Sequence, residues 1–182
     1  VLSDLGEDGQ KHKGEELMSI SRKALMAAGV VLVLGGPAQA QGVIAQKNVS
    51  LEMAKKIAEA TLAECKRRGF NTAVVVVDRS GQMILGMRTD QATPQTLEMA
   101  RRKAYTARMF RRTTLDWAKR TQDDPTLMPQ RDLADVIALG GGVPLMAGND
   151  AIGAVGSAGA GGQPEDDACA KAGVAAVAAE LK

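Results

Sequence analysis

Leu139-Gly-Gly-Gly-Val-Pro-Leu-Met-Ala-Gly-Asn-Asp-Ala-Ile-Gly-Ala-Val-Gly-Ser-Ala-Gly-Ala-Gly-Gly-Gln-Pro-Glu-Asp-Asp167 is the stretch around which the chain is organised. Val143 to Ala147 and Ala151 to Val155 flank Gly148-Asn149-Asp150, a glycine-assisted turn, and read as a hairpin. Pro144 lacks an N–H to donate, which favours an edge strand or a strand end. Glycines at 140 to 142 precede the hairpin, and Gly159, Gly161 and Gly162 follow it. Such density marks backbone that turns sharply or lets another group approach closely, so a ligand is expected here. Neither the phosphate-loop pattern nor a strand-linked G-x-G-x-x-G is present, and Gly153, Gly156 and Gly159 fall within a strand and its exit, which argues against a nucleotide site.

Working outward, Ile137-Ala138-Leu139 reads as a strand leading into the glycines. Pro164, Glu165, Asp166 and Asp167 form a proline-led acidic first turn suited to the helix dipole. The helix they open is expected to reach Leu181 and to bury Cys169, Ala172, Ala176 and Ala179. Upstream, Ser50 is an N-cap for a helix with Leu51, Ala54, Ile57, Ala58, Thr61, Leu62 and Cys65 on one face, stopped by Gly69. Thr72 to Asp78 is a β-branched run without polar alternation, hence a strand covered on both faces. Arg79-Ser80-Gly81 turns it into a second strand, Gln82 to Met87, and both are expected at the centre of the sheet.

A second helix opens at Thr93-Pro94 and packs Leu97, Ala100, Ala104, Ala107 and Phe110. Its arginines 101, 102, 108, 111 and 112 read as a solvated face. Lys103 instead falls on the small-residue side, where it either snorkels past the core edge or points into a pocket. A short helix follows from Thr113 and ends at Asp123-Asp124-Pro125, while Thr126 to Asp135 has no clear pattern. The order is helix, two strands, two helices, then strands and a last helix: an α+β chain with an antiparallel sheet and helices packed against it.

The 182 residues suffice for a hydrophobic core, built from aliphatics and alanine because Phe70, Tyr105, Phe110 and Trp117 are the only aromatics. A net charge of +2 implies no nucleic-acid partner. Met18 to Lys23 is a short basic region, Ala24 to Gly36 is apolar, and Ala38-Gln39-Ala40 is an A-x-A cleavage pattern, so residues 18–40 read as a signal peptide. The apolar run falls short of the about 20 residues of a membrane span, and no membrane insertion is expected after processing. Residues 1–17 read as a segment upstream of the natural start or one carried over from a vector. The mature domain, residues 41–182, is expected to be periplasmic or secreted.

His12, in the discarded part, is the only histidine, which removes histidine triads and histidine-ligated metal from the mature chain and leaves any metal site unspecified. Cys65 and Cys169 are too distant in sequence for a redox or zinc motif. They admit one disulfide between the first and last helices or two separate buried thiols, and the separate thiols are the favoured expectation.

Ala73 to Gly81, Ala100-Arg-Arg-Lys103-Ala104-Tyr105-Thr106-Ala107, Gly140 to Leu145, Ile152 to Gly159 and Asp166 to Gly173 occur in the order and spacing of the GlcG/HbpS family, and residues 50–181 resemble it throughout. The resemblance implies a single α+β domain with about five antiparallel strands between helices, assembled into homo-oligomers. It also implies haem as a cofactor, with Tyr105, Met99, Met109 and Thr106 remaining as candidate ligands without histidine. The leading reading is a non-catalytic binding protein for haem or a similar anionic small molecule. Its candidate site comprises Lys103, Tyr105, Thr106, Gly140, Gly141, Gly142, Gly159, Gly161 and Gly162. Two alternatives stand beside it. One is an accessory protein or enzyme of small hydroxyacid metabolism with Asp78, Asp166 or Asp167 as base. The other is a purely structural oligomeric domain whose glycines serve packing.

Overall fold

In the computed structural model, described over residues 42–182, the local signals become elements in the expected order. The expectations for residues 1–17, the signal peptide and its cleavage point lie outside the described residues. Helix α1 (Leu51–Arg67) starts where the Met53 N–H donates to the Ser50 hydroxyl at 3.1 Å, and it buries Ala54, Ile57, Ala58, Thr61 and Cys65. Gly69, at φ +87°, turns the chain away from it, a conformation glycine adopts without steric cost. Strands β1 (Ala73–Val77) and β2 (Met83–Arg88) follow, then helices α2 (Gln95–Phe110) and α3 (Thr114–Asp123) and a 3₁₀ segment (Pro125–Asp132). Strands β3 (Gly142–Ala147) and β4 (Asp150–Ala158), helix α4 (Gln163–Ala175) and a 3₁₀ turn (Ala178–Glu180) complete the unit, which spans Gln46–Lys182.

The sheet is antiparallel in the order β2-β1-β4-β3. Every residue of β1 is buried, which is why its valines run without alternation. Val74, Val76, Leu145, Ile152 and Val155 face α1 and α4, meeting Ala54, Ile57, Ala58 and Ala170. Val75, Val77, Ala154 and Ala158 face α2 through Ala100, Ala104 and Ala107. The second interface is built from small residues because the helix lies almost on the sheet. A Cβ at Gly156 would collide with the Ala100 carbonyl oxygen and stand 2.7 Å from the Ala104 nitrogen. That glycine is a packing requirement within the chain.

Four expectations are corrected. Among the described residues the sheet has four strands rather than five, because residues 137–139 run over α2 instead of beside a strand. There the Ile137 N–H donates to the Thr106 hydroxyl at 3.0 Å and Arg102 donates to the Val136 carbonyl at 2.5 Å, so side chains of α2 take the place of a strand partner. The first hairpin contributes one central strand, since β2 is an edge with partly exposed residues; Pro144 does lie on the opposite edge, in β3. The last helix ends at Ala175, and its buried face is Asp166, Asp167, Cys169, Ala170 and Gly173, leaving Ala176 and Ala179 exposed. Finally, Cys65 and Cys169 are joined in a disulfide, with Cα atoms 5.4 Å apart, because α1 and α4 pack side by side on one face of the sheet.

Candidate functional site

Helix α2 carries Lys103 towards the sheet at the point where β4 leaves it. The side chain is 2% exposed, and an ammonium in that position needs a counter-charge. It donates to Asp166 Oδ2 at 2.7 Å and to the Ser157 carbonyl at 3.0 Å. Asp166, in the first turn of α4, uses its other oxygen to accept the Ala160 N–H at 3.0 Å, so one carboxylate both neutralises the lysine and pins the glycine loop. Burial pushes the Lys103 ammonium below its ordinary range, with Asp166 and then Asp167 pulling in the opposite direction.

Beside this pair lies a cavity of about 350 Å³ between the first half of α2 and the start of α4. Thr96, Met99 and Lys103 form one wall, and Gly161, Gly162 and Gln163 form the other. The Gly161 and Gly162 N–H groups donate to no acceptor among the described residues, and they stand at the N-terminus of a 13-residue helix, where backbone dipoles favour negative charge. The Glu165 carboxylate folds back against Gly162 and competes for that position.

Of the residues expected from the sequence, Lys103, Gly159, Gly161 and Gly162 line this cavity together. Gly140 to Gly142 lie behind the ion pair as its frame. The Gly140 N–H donates to Gln163 Oε1 and the Gly142 N–H to Thr114 Oγ1, both at 2.8 Å. Gly141, at φ +123°, leaves no room for a Cβ, which would sit 2.7 Å from the Asp166 Cβ. Tyr105 and Thr106 do not line the cavity. The Tyr105 ring packs on the Gly81 turn, and the Thr106 hydroxyl donates to the Arg102 carbonyl at 2.8 Å while accepting from Ile137. Thr96 and Gln163 were not singled out from the sequence, nor was Asp166 as the partner of Lys103. The one available signal was the lysine itself, since a cation on a buried face implies an acid nearby.

The acids suggested for base chemistry are each engaged through one carboxylate oxygen at least, and the buried Asp167 Oδ1 has no partner among the described residues. Asp78 Oδ1 accepts the Ser80 and Gln82 N–H groups at 2.8 and 2.9 Å, and Asp167 pairs with Lys171 at 2.7 Å. Among the described residues no cluster of three or more His, Cys, Asp or Glu forms a metal site.

The family of HbpS-like proteins, described as haem-degrading, matches residues 49–175, and the chain belongs to it. A double mutant of Streptomyces reticuli HbpS is 33% identical and superposes with a TM-score of 0.70, covering 77% of this chain and 95% of that one. Protein GlcG of Escherichia coli K12 is 30% identical over 108 residues, or 59% of this chain and 79% of GlcG. PduOC, solved as a haem complex, is 23% identical with a TM-score of 0.63 over 70% of this chain and 94% of that one, a likeness of fold.

Proposed function

We propose that this protein is a non-catalytic binding protein for haem or a similar anionic small molecule, held in the cavity between α2 and the N-terminus of α4. The observation that carries the reading is the pair of glycines, Gly161 and Gly162, that line a partly apolar cavity with N–H groups that donate to no acceptor among the described residues. Such amides at a helix N-terminus suit a carboxylate, and Lys103 is too fully neutralised by Asp166 to supply the attraction itself. The residues present fit haem. Met99 on the cavity wall has a thioether of the kind that ligates haem iron, and the amides suit its carboxylates. Bound haem would supply an iron centre; the chain supplies one sulfur donor and two amides.

Family membership supports this ligand class, and the Cys65–Cys169 bond supports an oxidising compartment, periplasmic or extracellular. The reading includes a homo-oligomer, supported by the open edge of β2 with Met83 exposed. Native mass spectrometry of protein purified from its own source tests the assembly and any retained ligand together. Titration with haemin tests the site: a Soret shift that saturates is expected, altered in position by Met99→Ala and strengthened by Glu165→Gln, which removes the competing carboxylate. An unchanged haemin spectrum together with no retained small molecule would overturn the proposal.

A further inference from the structure

We propose that Arg79, Arg108 and Arg111 form a second anion site, away from the cavity, for a small soluble ligand bearing a phosphate or carboxylate group. Arg108 and Arg111 are three residues apart at the C-terminal end of α2 and so neighbour each other on its surface. The β1–β2 turn packs against the same part of the helix. A Cβ at Gly81 would stand 2.6 Å from the Met109 methyl and 2.9 Å from the Tyr105 ring, which brings Arg79 alongside.

The β3–β4 turn holds the two outer arginines. Arg111 donates to the Asn149 carbonyl, and Arg79 donates to Asp150 Oδ1 and to the Lys47 carbonyl, both at 3.4 Å. Arg108, in the last turn of the same helix, donates to nothing among the described residues, although its Nε is fully buried. The solvated face expected from the sequence therefore does not describe this residue.

Two acids face the cluster. Asp78 has Oδ1 committed to the backbone of its own turn, and Asp150 is already shared with Arg79. The carbonyl end of α2 adds partial negative charge, which helps hold the cations but leaves the Arg108 donors unused. Three arginines thus gather at one end of α2, and the terminal nitrogens of Arg108, which donate to nothing among the described residues, are left for the charge-assisted hydrogen bonds that an oxyanion accepts. Burial, then repulsion from Arg79 and Arg111, depresses the proton affinity of Arg108, while Asp78 and Asp150 pull in the opposite direction.

The test is a titration of the full chain at constant low ionic strength with inorganic phosphate and, separately, with acetate, following the arginine Nε–H signals by NMR. Saturable movement of the Arg108 signal is expected with at least one probe, and the probe that saturates names the group. Arg108→Gln is expected to weaken that binding about tenfold or more, whereas Lys66→Gln on α1 leaves it unchanged. Arg108→Lys keeps the charge but loses the fork, should weaken binding similarly, and carries the test if the glutamine variant does not fold. No saturable shift with either probe, or wild-type binding by a folded Arg108 variant, overturns the proposal.

Discussion

Helix α2 carries two cations little more than one turn apart that have been treated in opposite ways. Lys103 is sealed between the sheet and α4 with a dedicated carboxylate at 2.7 Å and a carbonyl at 3.0 Å. Arg108 is half-buried, crowded by two other arginines and bonded to nothing among the described residues. The difference follows from what packs above each. Lys103 meets the N-terminal turn of α4, rich in acids because that end of a helix favours them, whereas Arg108 meets two turns in which Asp78 Oδ1 accepts from its own backbone and Asp150 pairs with Arg79. Position along one helix thus separates a cation that the fold depends on from one left free to meet a ligand.

The sharpest way to break this comparison is to make the same substitution at both positions. Lys103→Met strands Asp166 as an unpaired buried carboxylate and is expected to cost about 3–5 kcal/mol in urea unfolding. Adding Asp166→Asn should recover a large part of that loss, because the amide can still accept the Ala160 N–H while carrying no charge. If the double variant is as unstable as Lys103→Met alone, the coupling between α2 and α4 is not the one described here. Next in size is the disulfide, which fixes the helix that carries Asp166 against α1. Reduction is expected to lower stability by about 2–5 kcal/mol, measured by thermal melts with and without reductant. A melting temperature indifferent to reductant would show that packing of α1 on α4 suffices without the bond.

Much of the fold was legible because it rests on local signals. Ser50, Gly69 and Gly81 act within a few residues of themselves, and the valine run of β1 reports burial on both faces directly. What escaped depends on juxtapositions between distant elements. Residues 137–139 are apolar and extended enough to pass for a strand, but their hydrogen bonds go to side chains of α2, which no pattern in that segment reveals. The buried face of α4 differs from the expected one because a helix so rich in alanine shows no strong apolar stripe, and the sequence leaves the Cys65–Cys169 bond as one of two alternatives. In the candidate site, Lys103 stood out as a charge on a small-residue face, but its partner lies 63 positions away. Tyr105 and Thr106, adjacent to it in sequence, point elsewhere, since neighbours on a helix are separated by about 100°.

The smallest expected effect is the other half of the comparison. Arg108→Met removes a guanidinium that makes no hydrogen bond within the described chain and that Arg79 and Arg111 repel. Methionine keeps most of the arginine's aliphatic stem, so the change is expected to fall within about 0.5 kcal/mol of wild type in urea unfolding, with a tilt towards greater stability. Salt gives the effect a sign. Screening relieves repulsion among the three arginines in the wild type and has less to relieve in the variant, so added sodium chloride should narrow the gap between them. Inorganic phosphate at equal ionic strength should go further and stabilise only the wild type, because a ligand of the folded state adds stability where its site is intact. A loss of several kcal/mol on making Arg108→Met, comparable with that at Lys103, would show that the arginine has a counter-charge of its own and would erase the contrast along α2.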